Sequence, residues 1–110
     1  MIELKALTII SEDWGETVDD FCIFFQLDVG PKDIPHASDL FSFDVVSPKR
    51  LEKIIEKTNI EIGRGYLVMN DFNLNTITTI VERIIKKCCL DDFEISLEKL
   101  SKYFRWENDN

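Results

Sequence analysis

Two runs of alternating apolar residues dominate the chain. The first, Phe21-Cys22-Ile23-Phe24-Phe25-Gln26-Leu27-Asp28-Val29, puts Phe21, Ile23, Phe25, Leu27 and Val29 on one face and Cys22, Phe24, Gln26 and Asp28 on the other. The second, Leu40 to Val46, sets Phe41, Phe43 and Val45 against Ser42, Asp44 and Val46. A period of two over aromatic and β-branched residues predicts two strands, each with one wholly apolar face and one mixed face carrying acids. The ten residues from Gly30 to Asp39 are too many for a tight hairpin, and Gly30-Pro31 and Pro35 predict a surface loop joining an antiparallel pair.

Upstream, Ile2, Leu4, Ala6 and Ile9-Ile10 predict a first strand with Glu3 and Lys5 facing the other way. Ser11 to Asp20 has no steady period and carries five acids, which predicts an acidic loop whose Trp14 tucks onto the core.

Downstream, Ser47-Pro48 is a helix start: the serine hydroxyl caps, and proline occupies a first-turn position whose N–H has no helical partner anyway. Leu51, Ile54 and Ile55 form the expected buried stripe, and the helix should end near Thr58-Asn59. Ile60 and Ile62, interrupted by Gly63-Arg64-Gly65 and resumed at Tyr66-Leu67-Val68-Met69, predict a short, bent strand ending near Asn70. Asn73 is placed to cap a longer helix in which Leu74, Ile77, Ile80, Val81, Ile84, Ile85 and Cys88 keep three- and four-residue spacing. As the longest and most apolar helix, it should lie across the sheet. Ser96 is expected to open a third helix burying Leu97 and Leu100; Tyr103 to Glu107 alternates like an edge strand, and Asn108 to Asn110 should fray. The sum is an α+β fold: one domain over residues 1–110, a mostly antiparallel sheet with two to three helices packed on one face.

Composition narrows the function. A chain of 110 residues with 45% hydrophobic content builds one real core, so disorder is not expected. With 21 acids against 13 bases the net charge is −8, which repels nucleic acid and anionic lipid and favours a basic partner. The opening residues Met1 to Lys5 alternate rather than forming a charged segment before an apolar run, and no stretch approaches a membrane span, so the expected compartment is the cytoplasm. Three cysteines, two of them adjacent, make a poor disulfide framework.

Catalytic signatures are thin. His36 stands alone in a loop, with no cysteine paired to it in sequence. No Cys/His spacing suggests zinc, and Gly63-Arg64-Gly65 lacks the spacing and the lysine of a phosphate loop. No catalytic residue, metal or cofactor is therefore assigned. The stronger candidate is a surface: Gln26, Asp28, Ser42 and Asp44 on adjacent strands with Phe24 between them, extended by Glu12, Asp13 and Trp14. Acids and an aromatic on a rigid sheet suit docking of a basic protein; the same acids also serve simply to keep a sheet face soluble.

Several blocks, in order, resemble the immunity protein 8 family of bacterial polymorphic-toxin systems. They are Phe25-Gln26-Leu27-Asp28-Val29-Gly30-Pro31-Lys32, Phe41-Ser42-Phe43-Asp44-Val45, Ser47-Pro48-Lys49-Arg50-Leu51, Gly63-Arg64 with Tyr66-Leu67-Val68, and Trp106-Glu107. Arg50 and Ile62 depart from the pattern, which often has aromatics there. The resemblance implies an α+β fold and a non-enzymatic protein that binds and blocks a cognate toxin domain. Charge suggests that the toxin is basic, as nucleases often are. The alternatives are a scaffold subunit that associates through its sheet edge or its Trp106 tail, and a small hydrolase using Cys89, His36 or a carboxylate pair. The oligomeric state is left open.

Overall fold

The computed structural model describes residues 1–107, so the expected fraying of Asn108 to Asn110 lies outside the described residues. The elements run β1 (Ile2–Trp14), β2 (Phe21–Pro31), β3 (Asp39–Val46), α1 (Pro48–Thr58), β4 (Tyr66–Val68), α2 (Leu74–Cys88), α3 (Phe93–Leu100) and β5 (Arg105–Trp106). The sheet order is β1-β2-β3-β4, with β5 also on β3. β1–β2, β2–β3 and β3–β5 are antiparallel, and β3–β4 is parallel, with α1 as the crossover. β4 and β5 share one side of β3: β4 pairs Asp44–Val46 and β5 pairs Phe41 and Ser42.

The inner face is built as the alternation requires. Phe21, Ile23, Phe25, Leu27 and Val29 of β2 and Phe41, Phe43 and Val45 of β3 are buried. α2 covers them with Ile77, Val81, Ile85 and Cys88, and α3 adds Leu97 and Leu100. Phe25 stacks on Phe43 with ring centroids 5.1 Å apart. Asn73 caps α2 through Oδ1, which accepts from the Thr76 N–H at 3.0 Å.

Four expectations need correction. First, Ser11 to Asp20 is not all loop, because β1 continues to Trp14 and the turn occupies only the residues after it. Two bulges explain why alternation failed to reveal this. The register shifts between Leu4 and Ala6 and again between Ile9 and Ser11, leaving Lys5 and Ile10 as the extra residues. Each bulge moves the inward phase by one residue, so Leu4 and then Leu7, Ile9 and then Glu12 and Trp14 lie across from inward residues of β2. Second, no residue of α1 is fully buried; Leu51 and Ile54 are partly covered and Ile55 is 40% exposed. The helix contributes nothing to the central cluster, because as a crossover it stands at the end of the sheet near the β1–β2 turn. Third, Ile60 and Ile62 belong to no strand and are 78% and 82% exposed; β4 is only three residues long. Fourth, α3 starts at Phe93 with Asp92 as its cap, and Ser96 is buried inside it. The Ser96 hydroxyl bonds Leu90 N–H at 2.8 Å and so anchors the α2–α3 connection.

Candidate functional site

The sheet face turned away from α2 and α3 collects most of the residues expected at a docking surface. Phe24, Gln26 and Asp28 project from β2, Ser42 and Asp44 from β3, and Asp13 from β1, where it lies opposite Cys22. Glu12 and Trp14 lie opposite Ile23 and Phe21 and so belong to the other face, at its rim. The Trp14 ring packs 5.1 Å from Phe21 and 5.9 Å from Phe72, and its Nε1 donates to Glu12 at 3.0 Å. It is both core and surface: its ring is seated on phenylalanines, yet it is 42% exposed.

A residue that sequence reasoning passed over organises the outer face. Arg105 of β5 lies across β3, with Nε donating to Ser42 Oγ at 3.2 Å and Nη2 to Asp44 Oδ2 at 2.8 Å. Its guanidinium stands 5.9 Å from the Phe24 ring centroid, a cation–π distance. Gly65, at φ +85°, makes room for it: a Cβ there would come within 2.9 Å of Arg105 Nη1. Ser42 is accordingly buried, and Asp44 is ion-paired. Asp44 Oδ1 also lies 3.7 Å from the Cys22 thiol. Burial, and then the Asp44 charge, push that thiol up to about 11. Tyr66, beside Asp44 in register, donates to Glu61 at 2.6 Å, and that bond together with burial pushes the phenol up to about 12. Gln26 and Asp28 have no side-chain hydrogen bond or ion pair among the described residues.

A second polar cluster closes the turn end of the sheet. Asp20 is only 2% exposed, and its Oδ1 accepts from Arg50 Nε at 2.6 Å while Oδ2 meets Lys53 Nζ. Arg50 Nη1 reaches Asp13 at 2.9 Å. Hydrogen bonds from Lys53 and then Arg50 hold the Asp20 carboxyl below its ordinary value. Asp13 is thus partly neutralised, and Arg50 works as a clamp between β1, the turn and α1.

The arrangement offers hydrogen-bond acceptors, negative charge and a partly covered aromatic. Among the described residues no group of three or more His, Cys, Asp or Glu side chains is arranged to hold a metal ion, and no helix is long and apolar enough to cross a membrane. Comparison with curated proteins and with solved structures finds no match. A family model described as Immunity protein 8 matches residues 2–110, a span that includes both polar clusters.

Proposed function

The chain belongs to the Immunity protein 8 family, and on that footing we propose that it neutralises the toxic domain of a cognate bacterial effector by stoichiometric binding rather than by catalysis. The family match over residues 2–110 carries this reading. The partner is a basic domain, acting in the cytoplasm, whose positive substrate-binding surface meets the acids of this protein; the net charge of −8 supports that choice. On the outer face Asp28 and Gln26 are the available polar contacts, with Phe24 beside them, whereas Asp44 and Ser42 are engaged by Arg105. Asp13, Glu12 and Trp14 extend the surface at the β1–β2 turn.

Co-expression with the toxin domain encoded beside this chain tests the reading. Growth rescue and a one-to-one complex by native mass measurement are expected; absence of both removes it. The scaffold alternative loses its tail: Trp106 stacks on Phe41 at 5.8 Å and donates to Asp39 at 3.4 Å, so that ring is held in the fold.

A further inference from the structure

The longest strand of the sheet is also its outermost. β1 runs for 13 residues and pairs with β2 alone, and among the described residues no strand lies beyond it. Backbone N–H and C=O groups along its outer side therefore have no strand partner among the described residues, although the Cys89 thiol lies 4.0 Å from the Ile2 carbonyl. Natural sheets guard such edges with short strands, prolines, lysines or bulges. β1 is long and has no proline, and its single lysine, Lys5, is ion-paired with Glu3 at 3.0 Å. Its two bulges leave the regularly paired run Ala6–Ile9 between them.

A groove of about 680 Å³ opens beside the first part of this edge, between β1 and α2. Ile2, Leu4, Ile85 and Cys89 supply its apolar lining, and Glu3, Glu82, Arg83 and Lys86 its charged rim, two acids and two bases, so the groove itself takes apolar side chains and the charge preference comes from the strand edge. A free strand edge beside a helix is a geometry in which an extended segment adds main-chain hydrogen bonds and sends alternate side chains into the groove.

Charge selects the occupant. Residues 1–44 hold ten acids and two bases, while residues 45–110 hold eleven of each, so β1, β2, β3 and their connections carry the whole −8. A second copy brings the same acid-rich sheet, ten acids to two bases over residues 1–44, to the edge; pairing about Thr8, for example, sets Glu3 of each copy opposite Asp13 of the other, and like charges placed opposite one another destabilise a sheet. A strand bearing lysine or arginine meets attraction at the same positions.

We propose that the outer edge of β1 is a strand-addition site for an extended segment of a basic protein, with its cationic side chains on the outer face near Glu3 and Asp13 and its apolar side chains alternating into the β1–α2 groove. That this protein is the toxin domain rests on the reading above; the edge site itself rests on sheet order, groove and charge.

The test uses the full chain and a short peptide alternating valine and lysine, with a valine–glutamate peptide as control. Binding is measured by titration, and backbone amide exchange is read residue by residue. The basic peptide binds, the acidic one does not, and outward amides between Glu3 and Ser11 slow while those of α3 are unchanged. Glu3→Lys combined with Asp13→Lys weakens the basic peptide about tenfold, while unchanged exchange of the α3 amides reports an intact fold. No binding of the basic peptide, or binding with β1 exchange unaltered, overturns the proposal. The same exchange map with the neighbouring toxin domain separates the two readings. A complex that leaves β1 unprotected overturns strand addition by the toxin domain and keeps the immunity role. Protection by the peptide, with no toxin binding, keeps the edge site and removes that role.

Discussion

Arg105 Nη2 sits 2.8 Å from Asp44 Oδ2, so a residue from the last strand neutralises an acid at the centre of the outer face. The same guanidinium bonds Ser42 and covers Phe24. Arg105→Met should keep the aliphatic packing and lose the charge, lowering stability by about 1 kcal/mol, since a partly exposed pair with one added hydrogen bond is worth little more. Urea denaturation measures the change; a loss several times larger would mean that the arginine has a structural role beyond these contacts.

Asp28 has no such partner among the described residues and lies on the same face. Asp28→Lys is expected to leave the thermal midpoint unchanged and to weaken binding of the toxin domain about tenfold, mostly through a slower on-rate at low salt. Surface plasmon resonance at two salt concentrations checks both. Asp44→Lys is a poor companion mutation, because it sets a second cation against Arg105.

Ser47 serves two elements with one oxygen. Oγ accepts from the Arg50 N–H at 3.1 Å as the α1 cap, and from the Phe21 N–H at 3.1 Å at the start of β2. Ser47→Ala leaves a buried strand N–H unsatisfied as well as an uncapped helix, and should cost about 2 kcal/mol, read from the urea midpoint.

The Asp20 cluster makes the fold acid-sensitive. Lys53 and Arg50 favour the charged carboxylate, so its folded value lies below the ordinary 3.8 and the folded state binds the proton less readily than the unfolded chain. This contribution is complete well above pH 3.8 and is lost as pH falls through the depressed value. Asp20→Asn should lower the thermal midpoint at neutral pH, and the gap to the wild type should narrow toward about pH 2. Thermal melts across that range test the sign; a gap independent of pH would contradict it.

Cys22 should be a poor nucleophile. With its thiol pushed up to about 11 by burial and by Asp44, roughly one molecule in a thousand carries a thiolate at about pH 8. Slow alkylation by iodoacetamide, followed by mass spectrometry, is the expected result. Asp44→Asn should speed it, because one cause of the raised value is removed.

Alternation in β2 and β3 and the three- and four-residue spacing of α2 were legible from residues alone, because each of those elements buries one continuous face and its period is unbroken. The caps Ser47 and Asn73 were legible too, since a hydroxyl or amide oxygen at a helix start satisfies local N–H groups. β1 was read only to Ile10, because its two bulges shift the period and nothing local announces a bulge. The apolar stripe of α1 was over-read: periodicity reports which residues share a face, not how deeply a crossover helix lets that face sink.

The candidate surface divides in the same way. The sequence alone determined which acids and aromatics share a strand face, because side-chain direction in a strand alternates with the backbone, and it determined the excess of negative charge. Only the tertiary structure decided which of those acids stay available. Arg105 neutralises Asp44 from 61 residues away in sequence, and Arg50 holds Asp20 from 30 away. Such pairings depend on where strands and turns meet, and no local pattern encodes that. The free edge of β1 is likewise a property of sheet order: the residues that make a strand do not say whether another strand will lie beside it.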